Sequence, residues 1–172
     1  MNSGSKHELP GDSDWEQWLA RHAPGLLLFA RQQASCEADA QDLVQEAVVE
    51  SWRRQSQGAP PPLGCVYATI RHRAIDLARR DDRRAGREAA AHLDSPQFWF
   101  DSGVEERERN LLIQKAMSHL AVNYRDVVTL KVWGGLTFVE IAEALEIPSN
   151  TAASRYRYGL IELRKLTKEV IA

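Results

Sequence analysis

Thr137-Phe-Val-Glu140 has capping-box spacing, in which a threonine hydroxyl and a glutamate three residues on satisfy each other's backbone amides at a helix start. Ile141, Ala142 and Leu145 then fall on one face of a short helix, Glu146-Ile-Pro-Ser149 reads as a tight turn, and Asn150 onward resumes helical periodicity. This spacing predicts a helix-turn-helix. Such a unit presents the start of its second helix to the DNA major groove, which is wide enough for a helix and distinguishes every base pair. The exposed side then offers Asn150, Thr151, Ser154, Arg155, Arg157 and Tyr158, while Ala152, Tyr156, Leu160 and Leu163 face the core. The bland alternative is a helical hairpin with a solvated face.

The remainder of the chain also carries helical rather than strand periodicity, so the expected fold class is all-α. Ser13-Asp-Trp-Glu16 is a second capping box, opening a stretch that stops before Pro24, with Pro24 in the first turn of a further helix to about Ala34. Asp39 is a candidate N-cap for a helix to about Gln55, with Leu43, Val44, Ala47, Val48 and Trp52 on its apolar side. Gly58-Ala-Pro-Pro-Pro-Leu-Gly64 must be a loop, and a helix from Cys65 to about Arg84 buries Val66, Ile70, Ala74 and Leu77. A change of character after Glu88, with the aromatic cluster Phe98-Trp-Phe100, reads as a flexible linker of which part docks on something. The expected organisation is a disordered N-terminus over 1–11, a first domain over 12–88, a linker over 89–103 and a second domain over 104–168.

A net charge of −2 is unusual for a nucleic-acid binder, but the charge is patterned. From Glu37 to Glu50 there are five acids and no base, whereas Arg71 to Arg87 holds seven arginines against three aspartates. Asp39, Asp42, Glu46 and Glu50 recur at three- and four-residue steps, an acidic stripe suited to a basic protein partner. His72, Asp76, Arg79, Arg80 and Arg83 share a mostly basic face flanked by Arg73, suited to DNA phosphates. Melted DNA would need a stacking platform, for which Tyr67 is the nearest aromatic, although Tyr67 could equally be core.

An enzyme would need convergent acids, bases or metal ligands. His7, His22, His72, His92 and His119 share no ligand spacing with one another or with Cys36 and Cys65, so no catalytic residue, metal or cofactor is expected. Both cysteines are expected to be reduced and packed. No apolar run approaches the roughly 20 residues that span a bilayer, and no secretory signal opens the chain, so a cytoplasmic protein without membrane insertion is expected.

With these residues in place the chain resembles the extracytoplasmic-function group of bacterial RNA polymerase sigma factors, within the sigma-70 family. The resemblance rests on four blocks in order: residues 21–31, Asp39-Ala-Gln-Asp-Leu-Val-Gln-Glu46 with Trp52, Arg71 to Arg80, and Tyr124 to Leu163. It implies two small helical domains, one sigma-2-like and one a sigma-4-like helix-turn-helix. It also implies an alternative sigma factor that binds core RNA polymerase, directs promoter recognition and melting, and is commonly held by an anti-sigma protein. Asp39, Asp42, Gln45 and Glu46 inherit by position the contact with the clamp coiled coil of the largest polymerase subunit, with Glu50 continuing the stripe. Tyr67, Arg71, His72, Arg73, Asp76, Arg79, Arg80 and Arg83 fall where the family holds the upstream element as it opens. Phe98, Trp99 and Phe100 are candidate anti-sigma contacts.

This chain departs from the family pattern with Cys65 for tryptophan, His72 for asparagine, Glu146 for the turn glycine, Ala153 for a basic residue, Tyr158 for arginine and Gly159 for alanine. Two readings therefore stand beside the sigma factor. One is a stand-alone helix-turn-helix regulator, which would not need the acidic and arginine-rich helices; the other is a sigma-like protein that binds polymerase and blocks it.

Overall fold

The computed structural model describes residues 12–54, 59–85, 98–101 and 106–171. Seven helices run through them: α1 (Asp12–Gln33), α2 (Glu37–Arg53), α3 (Leu63–Ala85), α4 (Arg107–His119), α5 (Val122–Val132), α6 (Phe138–Leu145) and α7 (Ser149–Ile171). No strand occurs among the described residues. The expected N-terminal segment 1–11 lies outside them, as do 89–97 and 102–103 of the expected linker and 86–88 of the expected first domain.

The first unit forms as α1, α2 and α3 bury their apolar stripes on one another. Leu26, Phe29 and Ala30 meet Ala40, Leu43 and Ala47 of α2 and Val66, Tyr67 and Ile70 of α3. Pro24 does not begin a new helix but lies inside α1. Its missing N–H weakens one turn, but burial of the residues that follow outweighs this local preference. Gly25 fits for a steric reason: a Cβ there would stand 2.7 Å from the Tyr67 hydroxyl and 2.9 Å from the Trp133 carbonyl oxygen. At the start of α2 the N-cap is Cys36, not Asp39: the Cys36 Sγ accepts from the Asp39 N–H at 3.5 Å. Asp39 sits instead in the first turn with Glu37, where carboxylates oppose the positive end of the helix dipole.

In the second unit α7 packs against α4, α5 and α6. Met117, Leu120 and Val128 form its own small core with Tyr124, Leu163 and Leu166 around it. Gly159 is buried where α7 crosses α5, and an added Cβ would lie 2.9 Å from Val128 Cγ2.

The two units are packed together. The larger core continues from Leu26, Phe29 and Ile70 into Val127, Leu130, Leu136 and Ile141, because α1 lies on α5 and α3 lies on α6. Residues 98–101, within the expected linker, strap the junction. The Arg31 guanidinium is buried; it donates to both Glu37 oxygens at 2.8 Å, to the Trp99 carbonyl at 3.0 Å and to Asp101 Oδ1 at 3.0 Å. On the other side the Trp99 N–H donates to Gln114 Oε1 at 2.9 Å, Arg125 lies over the Trp99 ring, and Phe100 meets Trp133.

Several side chains differ from the expectation of the sequence. Cys36 and Cys65 are exposed rather than packed, as Cys36 serves a cap and Cys65 lies on the solvent side of α3. Trp52, near the end of α2, and Leu160, in the middle of α7, are also exposed. Trp99 and Phe100 are engaged inside the chain, so of the aromatic cluster only Phe98 is exposed.

Candidate functional site

The acidic stripe forms as expected on the side of α2 away from the core. Asp42, Gln45 and Glu46 are exposed and Asp39 half-buried, while Ala40, Leu43, Ala47 and Ser51 are buried opposite. Glu50 is set differently. It accepts from Arg73 Nη2 at 2.7 Å and Nε at 2.9 Å and also from Arg54, and the Arg73 hydrogen bonds hold its carboxyl below the usual carboxylate range. Arg73 donates to Glu46 as well. Arg73 therefore ties α3 to α2, its guanidinium held by the α2 carboxylates at the edge of the arginine face that it flanks.

That face is otherwise continuous. His72, Asp76, Arg79, Arg80 and Arg83 are exposed along α3, with Asp76 3.8 Å from Arg79 and the Arg83 Nε donating to the Arg79 carbonyl at 2.9 Å. Asp39, Asp42, Glu46, Arg73, Asp76 and Arg80 line one groove between α2 and α3, so the acidic and basic stripes meet along it. Tyr67 is not on this surface: it is 1% exposed, edge-on to Phe29 at 5.4 Å, and burial pushes its phenol pKa up. In this arrangement it is a core residue and cannot offer a ring to a base.

The helix-turn-helix is built as its residues dictate. Thr137 N–H donates to Glu140 Oε2 at 2.7 Å, Glu140 N–H donates back to Thr137 Oγ1 at 3.3 Å, and the Thr137 amide and hydroxyl hold the Glu140 carboxyl below its ordinary range. Glu146 ends α6 in the left-handed region, with φ 56° and ψ 47°. For a non-glycine residue this conformation costs about 1–2 kcal/mol. On α7, Asn150, Arg157 and Tyr158 are exposed, and Thr151, Ser154 and Arg155 are half-buried. The Ser154 hydroxyl donates to the Thr151 carbonyl at 3.0 Å, and the Arg157 guanidinium lies 5.5 Å from the Tyr158 ring centre.

Two features of the interface between the units escaped sequence reasoning. Glu146 reaches across to α3, 3.7 Å from Arg71 Nη1 and 3.3 Å from His72 Nε2. Deeper in, Gln33 Nε2 donates to Asp126 Oδ1 at 2.9 Å and Thr129 Oγ1 donates to Gln32 Oε1 at 2.9 Å. The signal for the first was a glutamate in a turn suited to glycine; the buried glutamine pairs carry none. Among the described residues no cluster of histidine, cysteine and carboxylate side chains is arranged to hold a metal ion. No described helix is long and apolar enough to cross a membrane.

Comparison with known proteins agrees with this architecture. Residues 18–84 match Sigma-70 region 2, and residues 110–163 match Sigma-70, region 4. The chain is 27% identical over 152 residues to the RNA polymerase sigma-E factor of Streptomyces avermitilis, covering 88% of this chain and 84% of that one. It is 26% identical over 152 residues to the ECF RNA polymerase sigma factor SigL of Mycobacterium tuberculosis, covering 87% and 86%. Among solved structures it is similar to the sigma factor RpoE of Bartonella quintana in complex with the anti-sigma factor NepR, with TM-score 0.67, 20% identity and coverage of 91% and 98%. It is also similar to CnrH in complex with the cytosolic domain of CnrY, with TM-score 0.62, 19% identity and coverage of 90% and 88%.

Proposed function

The chain belongs to the extracytoplasmic-function group of the sigma-70 family, which directs RNA polymerase to promoters and initiates transcription, and we propose that three of its surfaces divide that work. The family is not an enzymatic one: catalysis belongs to the polymerase, and the factor contributes binding energy. The exposed face of α2, with Asp39, Asp42, Gln45 and Glu46, docks on the clamp coiled coil of the largest polymerase subunit. The α3 face, with Arg71, His72, Asp76, Arg79, Arg80 and Arg83, holds the upstream element as it opens. The start of α7, with Asn150, Thr151, Ser154, Arg155, Arg157 and Tyr158, reads the more distal element as duplex. Glu50 and Arg73 hold the first two surfaces in register rather than contacting partners, and the first and second domains take the bounds 12–88 and 104–168.

The observation that supports this division best is the α2–α3 groove, where opposite charge stripes on neighbouring helices are exposed side by side. A basic protein surface and an acidic nucleic acid can therefore approach together. The reading includes a cytoplasmic location and a protein regulator of the anti-sigma kind, for which Phe98 is the aromatic left exposed by the strap.

Charge reversal of Asp42 and Glu46 to lysine tests the assignment. It should abolish binding to core polymerase, measured by fluorescence anisotropy, while leaving binding to duplex DNA in place. Undiminished polymerase affinity would remove the acidic face from the contact.

A further inference from the structure

We propose that Tyr158 is a specificity-determining residue of α7, whose ring packs on the methyl group of a thymine in the duplex element while Arg157, held against that ring, takes a guanine beside it. The inference rests on the reading of α7 as the duplex-binding helix given above. At about 100° per residue, Asn150, Ser154, Arg157, Tyr158 and Ile161 fall within one arc of roughly 100° on α7. All but Ser154 are exposed, and Ala152 and Gly159 on the opposite side are buried. Tyr158 is 51% exposed and Ile161 47%, large apolar surfaces on a face otherwise polar and basic. Arg164, Lys165 and Lys168 are exposed further along the same side, with Glu162 paired to Lys165 at 2.7 Å beside them. Such a charge pattern suits DNA phosphates.

The major groove offers hydrogen-bond donors and acceptors from every base pair but a single kind of apolar group, the C5-methyl of thymine. A tyrosine ring and an isoleucine side chain one turn apart on the reading face therefore have one base partner of their own chemistry. Tyr158 lies in the third turn of α7, about 14 Å from its start at Ser149, whereas Ile161 is about 5 Å further out. Tyr158 is thus the nearer to the bases, and Ile161 widens the apolar surface beside it. Arg157 fixes the ring. Its guanidinium carbon is 5.5 Å from the Tyr158 ring centre, a cation–π distance that restrains both side chains and leaves the N–H groups at the guanidinium edge to donate outward. Guanine O6 and N7 match that planar fork. The Ser154 hydroxyl is already donated to the Thr151 carbonyl at 3.0 Å, which leaves Arg157 and Tyr158 as the outward-reaching pair of this stretch. Ring and fork stand side by side, so the bases they select are neighbours.

The probe is duplex DNA selected from a randomised pool by holoenzyme assembled from core polymerase and the full chain. The element read by α7 is the block of selected sequence whose base preference relaxes when Asn150→Ala and Arg157→Ala are combined. That block should hold a thymine beside a guanine, and Arg157→Ala alone should relax the guanine. Replacing the thymine by deoxyuridine, which lacks only the methyl group, should weaken wild-type binding about threefold to sixfold, as for exposing one buried methyl group. Tyr158→Phe keeps the ring and should keep this methyl dependence, whereas Tyr158→Ala should bind the thymine and deoxyuridine duplexes equally. A block without thymine, equal wild-type affinity for the two duplexes, or a methyl dependence that survives Tyr158→Ala would each overturn the role of Tyr158 while leaving α7 the reader. A guanine preference unchanged in Arg157→Ala would overturn the pairing of ring and fork. If the combined variant relaxes no block of the selected sequence, α7 is not the duplex reader and the inference falls with that reading.

Discussion

Gln33 of α1 donates its side-chain amide to Asp126 of α5 at 2.9 Å, joining the two units through a carboxyl that is only 7% exposed. Burial raises the Asp126 pKa, and this outweighs the opposing effects of the Gln33 hydrogen bond and of Arg125, Arg71 and Arg155. The folded chain therefore holds a proton on Asp126 at pH values where the unfolded chain has released it.

Stability should accordingly fall as pH rises from the ordinary carboxylate value through the raised one, since the native state binds more protons across that window. Asp126→Asn keeps the acceptor for Gln33 and removes the charge. Thermal melts should show a higher Tm at neutral pH, about 2–4 °C for each kcal/mol gained in a chain of this size. The slope contributed in that window should disappear.

Arg73 stands between the acidic and basic stripes, bonded to Glu46 and Glu50. Arg73→Ala should destabilise the first unit by about 1 kcal/mol or less, the range of partly exposed pairs. The salt dependence of DNA binding should be unchanged, because this guanidinium faces α2. Arg80→Ala, by contrast, should reduce the salt slope by roughly one phosphate contact. Titration of duplex and single-stranded DNA affinity against salt distinguishes them.

Gly159→Ala places a Cβ 2.9 Å from Val128 Cγ2 and 3.3 Å from Tyr124 Cβ. Alanine gains about 1 kcal/mol of helix propensity, but overpacking against a stiff β-branched neighbour costs roughly 1–3 kcal/mol. The urea midpoint should fall, with the loss in the second unit.

What was legible in the sequence follows from which interactions are local. The Thr137–Glu140 capping box, the turn at Glu146 and the α2 stripe depend on spacings of three and four residues, and each is formed. Pro24 and Asp39 misled because a local preference yielded to packing in one case and to a neighbouring cap in the other. The strap on Arg31, the burial of Tyr67 and the Glu146 contact with α3 join residues 38 to 75 positions apart, and no periodicity encodes such pairs. Arg73 shows the limit most plainly: its face was legible, but its orientation was set by Glu46 and Glu50 on another helix.

Run-off transcription with purified core polymerase and a library of upstream genomic fragments, with and without the protein, tests the central claim most directly. The account predicts transcripts that appear only in its presence, with start sites sharing two sequence elements at fixed spacing, and their loss on charge reversal at Asp42 and Glu46. Polymerase bound without any such transcript, or transcripts that survive the charge reversal, would contradict it.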